Sequence, residues 1–129
     1  MEHNEDIATY RRSFYEREEK RQKEHDQRQA QAEQNIIQTV QSLAPQYPQL
    51  LRVYLFGSIL SQVSFKPSSD IDLMVEGVSF EESFRLWKEL EQKIPEHYVD
   101  VRVFEVDNPF CQRIQVKGKV IYERKDTNA

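Results

Sequence analysis

Two short stretches decide the fold of this chain: Tyr54–Ser58, which reads Tyr-Leu-Phe-Gly-Ser, and Asp70–Val75, which reads Asp-Ile-Asp-Leu-Met-Val. The first is an apolar run that ends at Gly-Ser, and the second is an apolar segment with two aspartates. Because strand side chains alternate faces, Asp70 and Asp72 point the same way. Neighbouring acids repel each other, so folding alone gives no reason for the pair. A divalent cation gives one, and the Gly-Ser turn upstream indicates Mg²⁺ and a nucleoside triphosphate.

A third acid lies on another alternating segment, Tyr98–Phe104. Its valines make one face, and Asp100 and Arg102 lie on the other. If this strand pairs beside the Asp70–Val75 strand, Asp100 joins the same acidic cluster. Three carboxylates from two strands are enough to hold two metal ions about 3.5–4 Å apart for in-line displacement at phosphorus. Arg102 either pairs with Asp100 as a salt bridge or meets a triphosphate, and both alternatives stay open.

Three small residues are candidate nucleotide contacts. Gly57 has no Cβ, so its backbone can approach phosphates closely. Ser58 opens a short helix, where free N–H groups and a hydroxyl can bind phosphate oxygens; the alternative is an ordinary turn with a capping serine. Ser69 stands just before Asp70. It either orients the carboxylates and contacts the nucleotide, or it caps a turn.

The order Gly57-Ser58, Asp70-x-Asp72 and Asp100 resembles the signature of the nucleotidyltransferase superfamily that includes DNA polymerase beta. The resemblance covers roughly residues 35 to 123 and includes a closing helix, glycine turn and final strand. Within the superfamily, the short length resembles the minimal nucleotidyltransferases (MNT), the antitoxin halves of HEPN–MNT toxin–antitoxin pairs. That family often carries an Arg and a second Gly just after Gly-Ser, where this chain has Ile-Leu-Ser-Gln at residues 59–62.

The resemblance implies a nucleotidyltransferase that depends on two Mg²⁺ ions, with Asp70, Asp72 and Asp100 as both catalytic residues and metal ligands. It also implies ATP as the donor and a HEPN-type ribonuclease toxin as the acceptor. AMP would then be placed on a toxin hydroxyl, expected to be that of a tyrosine, and would neutralise the toxin. Two alternatives stay open: a non-catalytic antitoxin that masks the toxin, and a transferase that acts on RNA ends.

The pattern of apolar residues predicts an α/β (α+β) domain, with a small mixed sheet of about four strands, helices on one face and a long N-terminal helix. Residues 1–31 are predicted to be a charged helical extension, residues 32–123 the nucleotidyltransferase domain, and residues 124–129 a polar tail. Ser79 and Glu82 predict a capping box. The helix that follows is expected to bury Phe80, Phe84, Trp87 (or Leu86), Leu90 and Ile94.

The N-terminal extension carries an apolar patch on an otherwise polar helix. Residues 16–29 contain no apolar side chain, and their opposite charges recur at helical spacing, which is typical of a solvated helix. Ile7, Tyr10, Phe14 and Tyr15 precede them at spacings of three and four. A single helix cannot bury such a patch, so it needs the domain, a second copy or another protein as a partner. The alternative is a frayed tail.

Composition limits the classes of protein to which this chain can belong. Its 129 residues indicate one domain, and a net charge of −4 without a concentrated basic block does not favour nucleic acid as a partner. Cys111 is the lone cysteine, so no disulfide framework is expected and a cytoplasmic location fits. No apolar run approaches the ~18 residues of a membrane span, and the N-terminus is too charged for a signal peptide.

Overall fold

A computed structural model describes residues 2–61 and 64–125 of the chain, with side chains described from Asp6 onward. Gln62 and residues 126–129 of the predicted polar tail lie outside the described residues. In chain order the elements are α1 (Glu2–Leu43), β1 (Arg52–Phe56), β2 (Ile71–Glu76), α2 (Phe80–Lys93), β3 (Val99–Val103), α3 (Pro109–Lys117) and β4 (Lys119–Glu123), with short 3₁₀ helices at Ala44–Gln46 and Gly57–Leu60.

The four strands form one mixed sheet in the order β3-β2-β1-β4. Strand β1 is antiparallel to both β2 and β4, whereas β2 and β3 are parallel. The parallel pair is joined by α2, as a parallel connection requires. The predicted mixed sheet of about four strands is therefore confirmed, together with the long N-terminal helix.

The sheet is covered on both faces, which differs in one respect from the prediction of helices on one face. Helices α1 and α2 pack on one face and form the main core. Helix α3 packs on the opposite face, where Cys111 and Ile114 meet Tyr54 and Met74. The reason is visible in the central strands: both β1 and β2 are apolar on both faces, so each face needs a cover.

Helix α2 begins as predicted and buries part of the predicted stripe. Ser79 and Glu82 form the predicted capping box. Leu86 (the alternative to Trp87), Leu90 and Ile94 are buried as expected, whereas Phe80 is 77% exposed and Phe84 is 52% exposed. At 100° per residue, the apolar residues of α2 span about 160° of the helix circumference, and Phe80 and Phe84 lie at one edge of this span. The two phenylalanines therefore lie to one side of the buried residues of the helix, which are Ser83, Leu86 and Leu90.

Helix α1 runs without a break through the predicted boundary between residues 31 and 32. Among the described residues, its hydrogen bonds to the rest of the chain begin at His25, whose Nε2 donates to the carbonyl of Phe65 (2.7 Å). Gln29 follows and donates to the carbonyls of Ile59 (2.6 Å) and Ser61 (2.8 Å). The helix thus begins to contact the domain a few residues before the predicted boundary. No described helix is both long enough and apolar enough to cross a membrane.

Gly77 ends β2 in a conformation that other residues rarely adopt, with φ of +100°. A Cβ at this position would stand 2.4 Å from the carbonyl oxygen of Gln49. We expect Gly77→Ala to lower the free energy of unfolding by about 2 kcal/mol or more, since left-handed backbone alone costs about 1–2 kcal/mol. Urea denaturation followed by circular dichroism measures it. Gln92→Ala on the exposed side of α2 is the control, and equal midpoints for the two variants would contradict the prediction.

Candidate functional site

The strand register brings the predicted acids together at one end of the sheet. In the parallel pair, Asp72 of β2 is the register partner of Asp100 of β3. On its other side Asp72 is the register partner of Phe56, the residue that precedes Gly57. Asp70 lies immediately before β2. The pairing of the two acidic strands that the sequence analysis assumed is therefore present.

The three carboxylates interact electrostatically. The pKa of Asp72 is raised above its usual value of 3.8, chiefly because burial disfavours the charged form. The charge of Asp100 raises it further, and that of Asp70 adds to the effect. Asp72 is half-buried, whereas Asp70 and Asp100 are exposed. The site thus combines one partly desolvated acid with two acids that solvent or a substrate can reach.

The chemistry of this donor set fits a hard divalent cation. All three side chains offer carboxylate oxygens, the ligands that Mg²⁺ prefers. None of the three forms a salt bridge with a basic side chain in the described part of the chain, so their charge is uncompensated. Within the same residues, no three His, Cys, Asp or Glu side chains are drawn close enough to form a finished metal site. The three acids thus share one end of the sheet without a preformed metal site.

Gly57 makes room for Asp72. Its φ is +84°, and a Cβ there would stand 2.4 Å from Oδ2 of Asp72. The sequence predicts that phosphates approach this glycine but does not reveal its contact with the acid. Only the pairing of β1 with β2 brings the two residues together, so no local pattern reveals the contact. That Gly57 also contacts phosphates stays a prediction.

Ser58 does not cap the 3₁₀ helix that it was expected to open. The N-cap is Phe56, and no side chain caps the turn. Within the described residues, the hydroxyl of half-buried Ser58 has no hydrogen-bond partner. Ile59 is buried in the main core, and Leu60 is exposed. The hydroxyl of Ser58 thus remains available to a ligand, and its contact with phosphate stays a prediction.

Ser69 closes the turn that leads into β2. Its Oγ accepts a hydrogen bond from the backbone N–H of Lys66 (2.9 Å), and its carbonyl accepts one from Nδ1 of His97 (3.0 Å). Of the two alternatives for this serine, turn closure has a visible contact. Its role as a nucleotide contact stays a prediction.

Arg102 stacks on an aromatic ring and makes no salt bridge with Asp100 among the described residues. Its guanidinium carbon lies 4.6 Å from the ring centroid of Phe110, at the start of α3. The Phe110 ring also meets the edge of Phe56, at a centroid distance of 5.9 Å. Arg113 lies 5.8 Å from the same ring. Strand alternation predicts Arg102 on the acidic face but does not predict its contact with Phe110, because that contact joins two elements.

Comparison with known proteins also indicates a nucleotidyltransferase. Residues 38–127 match the polymerase beta nucleotidyltransferase family. A solved toxin–antitoxin with AMP-PNP is 26% identical, with a TM-score of 0.54 over 72% of this chain and 74% of that one. The complex of tri-AMPylated Shewanella oneidensis HEPN toxin with MNT antitoxin gives 25% identity and a TM-score of 0.51, over 74% and 73%.

A candidate nucleotidyltransferase from Sulfolobus solfataricus is 22% identical, with a TM-score of 0.53 over 78% of this chain and 87% of that one. At this identity the likeness shows a shared fold. Among curated proteins, no sequence matches this chain.

The raised pKa of Asp72 predicts that the ionised side chain destabilises the metal-free fold. A carboxyl whose pKa is raised by folding contributes stability below its unfolded pKa and loses that contribution as pH rises through the folded pKa. We therefore expect Asp72→Asn to increase the free energy of unfolding at pH 7 by about 0.2–1 kcal/mol, the range for like charges on paired strands.

Urea denaturation in a chelating buffer measures this effect from pH 7 down to pH 3. The difference between the variants should shrink towards the acid end, where Asp72 is protonated in both the folded and the unfolded chain. Asp6→Asn, at an exposed position on α1, is the control. A variant that is less stable than the parent chain at pH 7 would show that Asp72 is not under repulsion.

Proposed function

The chain belongs to the polymerase beta nucleotidyltransferase family, and we propose that it transfers AMP from ATP to a hydroxyl group of a HEPN-type ribonuclease toxin, which the transfer neutralises. The observation that carries this proposal is the register of Asp72 with Asp100, with Asp70 close enough to affect the pKa of Asp72. The choice of donor and acceptor is supported by two similar structures, one with AMP-PNP and one with a tri-AMPylated HEPN toxin.

Asp70, Asp72 and Asp100 would hold two Mg²⁺ ions, which neutralise charge on the triphosphate and lower the pKa of the acceptor hydroxyl. In the transfer, the acceptor oxygen bonds to the α-phosphorus, the bond to the β-phosphate breaks, and pyrophosphate leaves. Asp100 is exposed at the start of the edge strand β3. We assign its carboxylate the role of taking the proton of an acceptor that arrives from outside.

Gly57 and Ser58 are assigned to the surroundings of the half-buried Asp72 and to the phosphates. Gly57 leaves its carboxylate the space that a Cβ would fill. Ser58, next in the chain, offers a hydroxyl without a described partner. We assign Ser58 to the phosphates, because a hydrogen bond to a charged oxygen is stronger than one between neutral groups.

A masking antitoxin without chemistry is the second candidate. One observation favours it: Ile59, in the segment where the family often carries an Arg and a second Gly, is buried in the core. An RNA end as acceptor is disfavoured by the net charge of −4.

Removing the carboxylates should abolish transfer without unfolding the chain. We expect the double variant Asp70→Asn, Asp72→Asn to label a HEPN toxin with AMP below detection. Asp100→Asn should lower the rate about 10²–10⁴-fold, the range for loss of a general base. Radiolabelled ATP, Mg²⁺ and purified toxin give the measurement. Glu105→Gln is the control, because it removes an exposed carboxylate from the same segment.

The same variants separate the two candidate functions. If the double variant still labels the toxin, the three acids are not the active site. If labelling is lost but the variant still protects cells from the toxin, masking is the function. Loss of both labelling and protection supports neutralisation by transfer.

Ser58→Ala should weaken nucleotide binding more than folding. A lost hydrogen bond to a charged phosphate oxygen is worth about 1.5–3 kcal/mol, whereas the hydroxyl has no described partner in the protein to lose. Calorimetric titration with AMP-PNP and Mg²⁺ measures the affinity, and Ser13→Ala on α1 is the control. Unchanged affinity would leave Ser58 as a residue of the turn alone.

A further inference from the structure

The N-terminal part of α1 carries its apolar side chains on one face of the helix. The C-terminal part of α1 packs on the domain with the same face. Residues 2–24 are called the arm here. An α-helix returns to the same angle after 18 residues, which is five turns. Ile7 stands 18 residues before His25, and Phe14 stands 18 residues before Ala32. Because His25 and Ala32 both contact the domain, Ile7 and Phe14 lie on the same side of the helix.

The arm leaves the domain at the end of the sheet that carries the candidate site. Lys119, the register partner of Leu55, forms a salt bridge with Glu33 of α1, whereas Gln41 reaches the carbonyl of Ile121 further along β4. Towards its N-terminus, α1 therefore runs in the direction in which β1 leads to Gly57. At a rise of 1.5 Å per residue, Ile7 lies about 27 Å beyond His25.

The end of the sheet that carries the candidate site is called the site end. The direction of α1 places an apolar patch beyond this end. The inner patch is defined as Ile7, Tyr10 and Phe14, which are 50%, 65% and 44% exposed. Between the patch and the domain, the same helix face is polar, with an ion pair of 2.6 Å between Arg21 and Glu18. Exposed apolar side chains grouped on an otherwise charged helix indicate a binding surface.

The area of the patch shows that an occupant also needs contacts outside it. Each of its side chains exposes on the order of 100 Å², so that the patch with neighbouring Tyr15 offers about 400 Å². A stable interface needs about 800 Å² from each partner. Two copies joined through their patches alone would therefore fall short. A protein that binds the patch therefore needs a further contact area on this chain. On the side that the patch faces, the site end of the domain supplies the nearest such surface.

We propose that the inner patch docks the acceptor protein and holds its hydroxyl-bearing surface against the end of the sheet where Asp100 lies. This inference rests on the proposed function, since it is the substrate of the transfer that occupies the arm. Asp72 and Asp100 point to the sheet face on which α3 packs, whereas α1 packs on the other face, so the docked protein would reach the acids around the end of the sheet. A partner that fits has an apolar surface about 30 Å from its acceptor hydroxyl.

The test compares two double variants of the full chain in the catalytically silent background Asp70→Asn, Asp72→Asn and in the active chain. The inner variant is Ile7→Ser with Phe14→Ser. The outer variant, Arg12→Ser with Glu19→Ser, changes two exposed residues on the opposite side of the same helix segment and leaves the net charge unchanged. The probe is a HEPN toxin purified without AMP.

We expect the inner variant to weaken toxin binding by the silent chain at least about tenfold, measured by sedimentation equilibrium. In the active chain it should raise KM for the toxin by a similar factor and leave both KM for ATP and the affinity for AMP-PNP unchanged. The outer variant should match the parent chain in every measurement. Equal helix content by circular dichroism shows that the arm is intact in both variants.

Three results separate failure of this inference from failure of the proposed function. If the inner and outer variants bind the toxin equally, the arm does not dock the acceptor, even when transfer is normal. If the inner variant turns a dimeric chain into a monomer and leaves toxin affinity unchanged, a second copy occupies the patch and the inference is overturned. If the parent chain transfers no AMP while toxin binding depends on the inner patch, the docking stands and the catalytic proposal fails.

Discussion

The parallel pairing of β2 with β3 is the constraint on which the candidate site depends, because it holds Asp72 beside Asp100 although the two acids repel each other. Such a pair persists only where the strands are fixed by interactions elsewhere. Beneath the acids, Ile71 and Leu73 are fully buried and Val99 is nearly so. The apolar side of the two strands thus offsets the repulsion on the acidic side.

Helix α2 gives the edge strand β3 a second support. The indole nitrogen of Trp87 donates to the carbonyl of Val99 (2.8 Å), and the N–H of Val99 donates to the carboxylate of Glu91 (2.9 Å). These are backbone groups on the open side of the sheet, where no further strand pairs with β3 in the described chain. Side chains of α2 therefore take the place of a fifth strand, right beside Asp100. This contact also explains why Trp87 lies at the sheet edge rather than in the core.

How far the sequence predicts this molecule depends on the range of the interaction concerned. Alternation along a strand is local, so the shared face of Asp72 and Asp100 could be inferred once their strands were assumed to be neighbours. The capping box at Ser79 is local for the same reason. The contact between Gly57 and Asp72 joins two strands, and no pattern within either strand contains it.

Helix α2 shows a different limit. Its apolar residues occupy more of the circumference than the sheet can cover, so the pattern alone does not decide which of them are buried. Packing decides it, and Phe80 and Phe84 stay exposed. For the sheet, the prediction was helices on one face only. Tyr54 and Met74 are instead covered by α3 on the second face. In both cases the sequence shows which residues are apolar but not which surface they meet.

The continuity of α1 has a consequence for how the chain tolerates insertions and deletions. Because one helix contributes both to the core, through Ile36, and to the arm, through Ile7, the rotational phase of the arm is fixed by the domain. Adding a single residue between them would turn the patch by 100° and carry it away from the site end. Adding seven would turn it by only about 20° from its present phase and move it outward by about 10 Å. Insertions and deletions in this segment thus preserve the direction of the patch only when they amount to nearly whole helical turns, as in the heptads of a coiled coil.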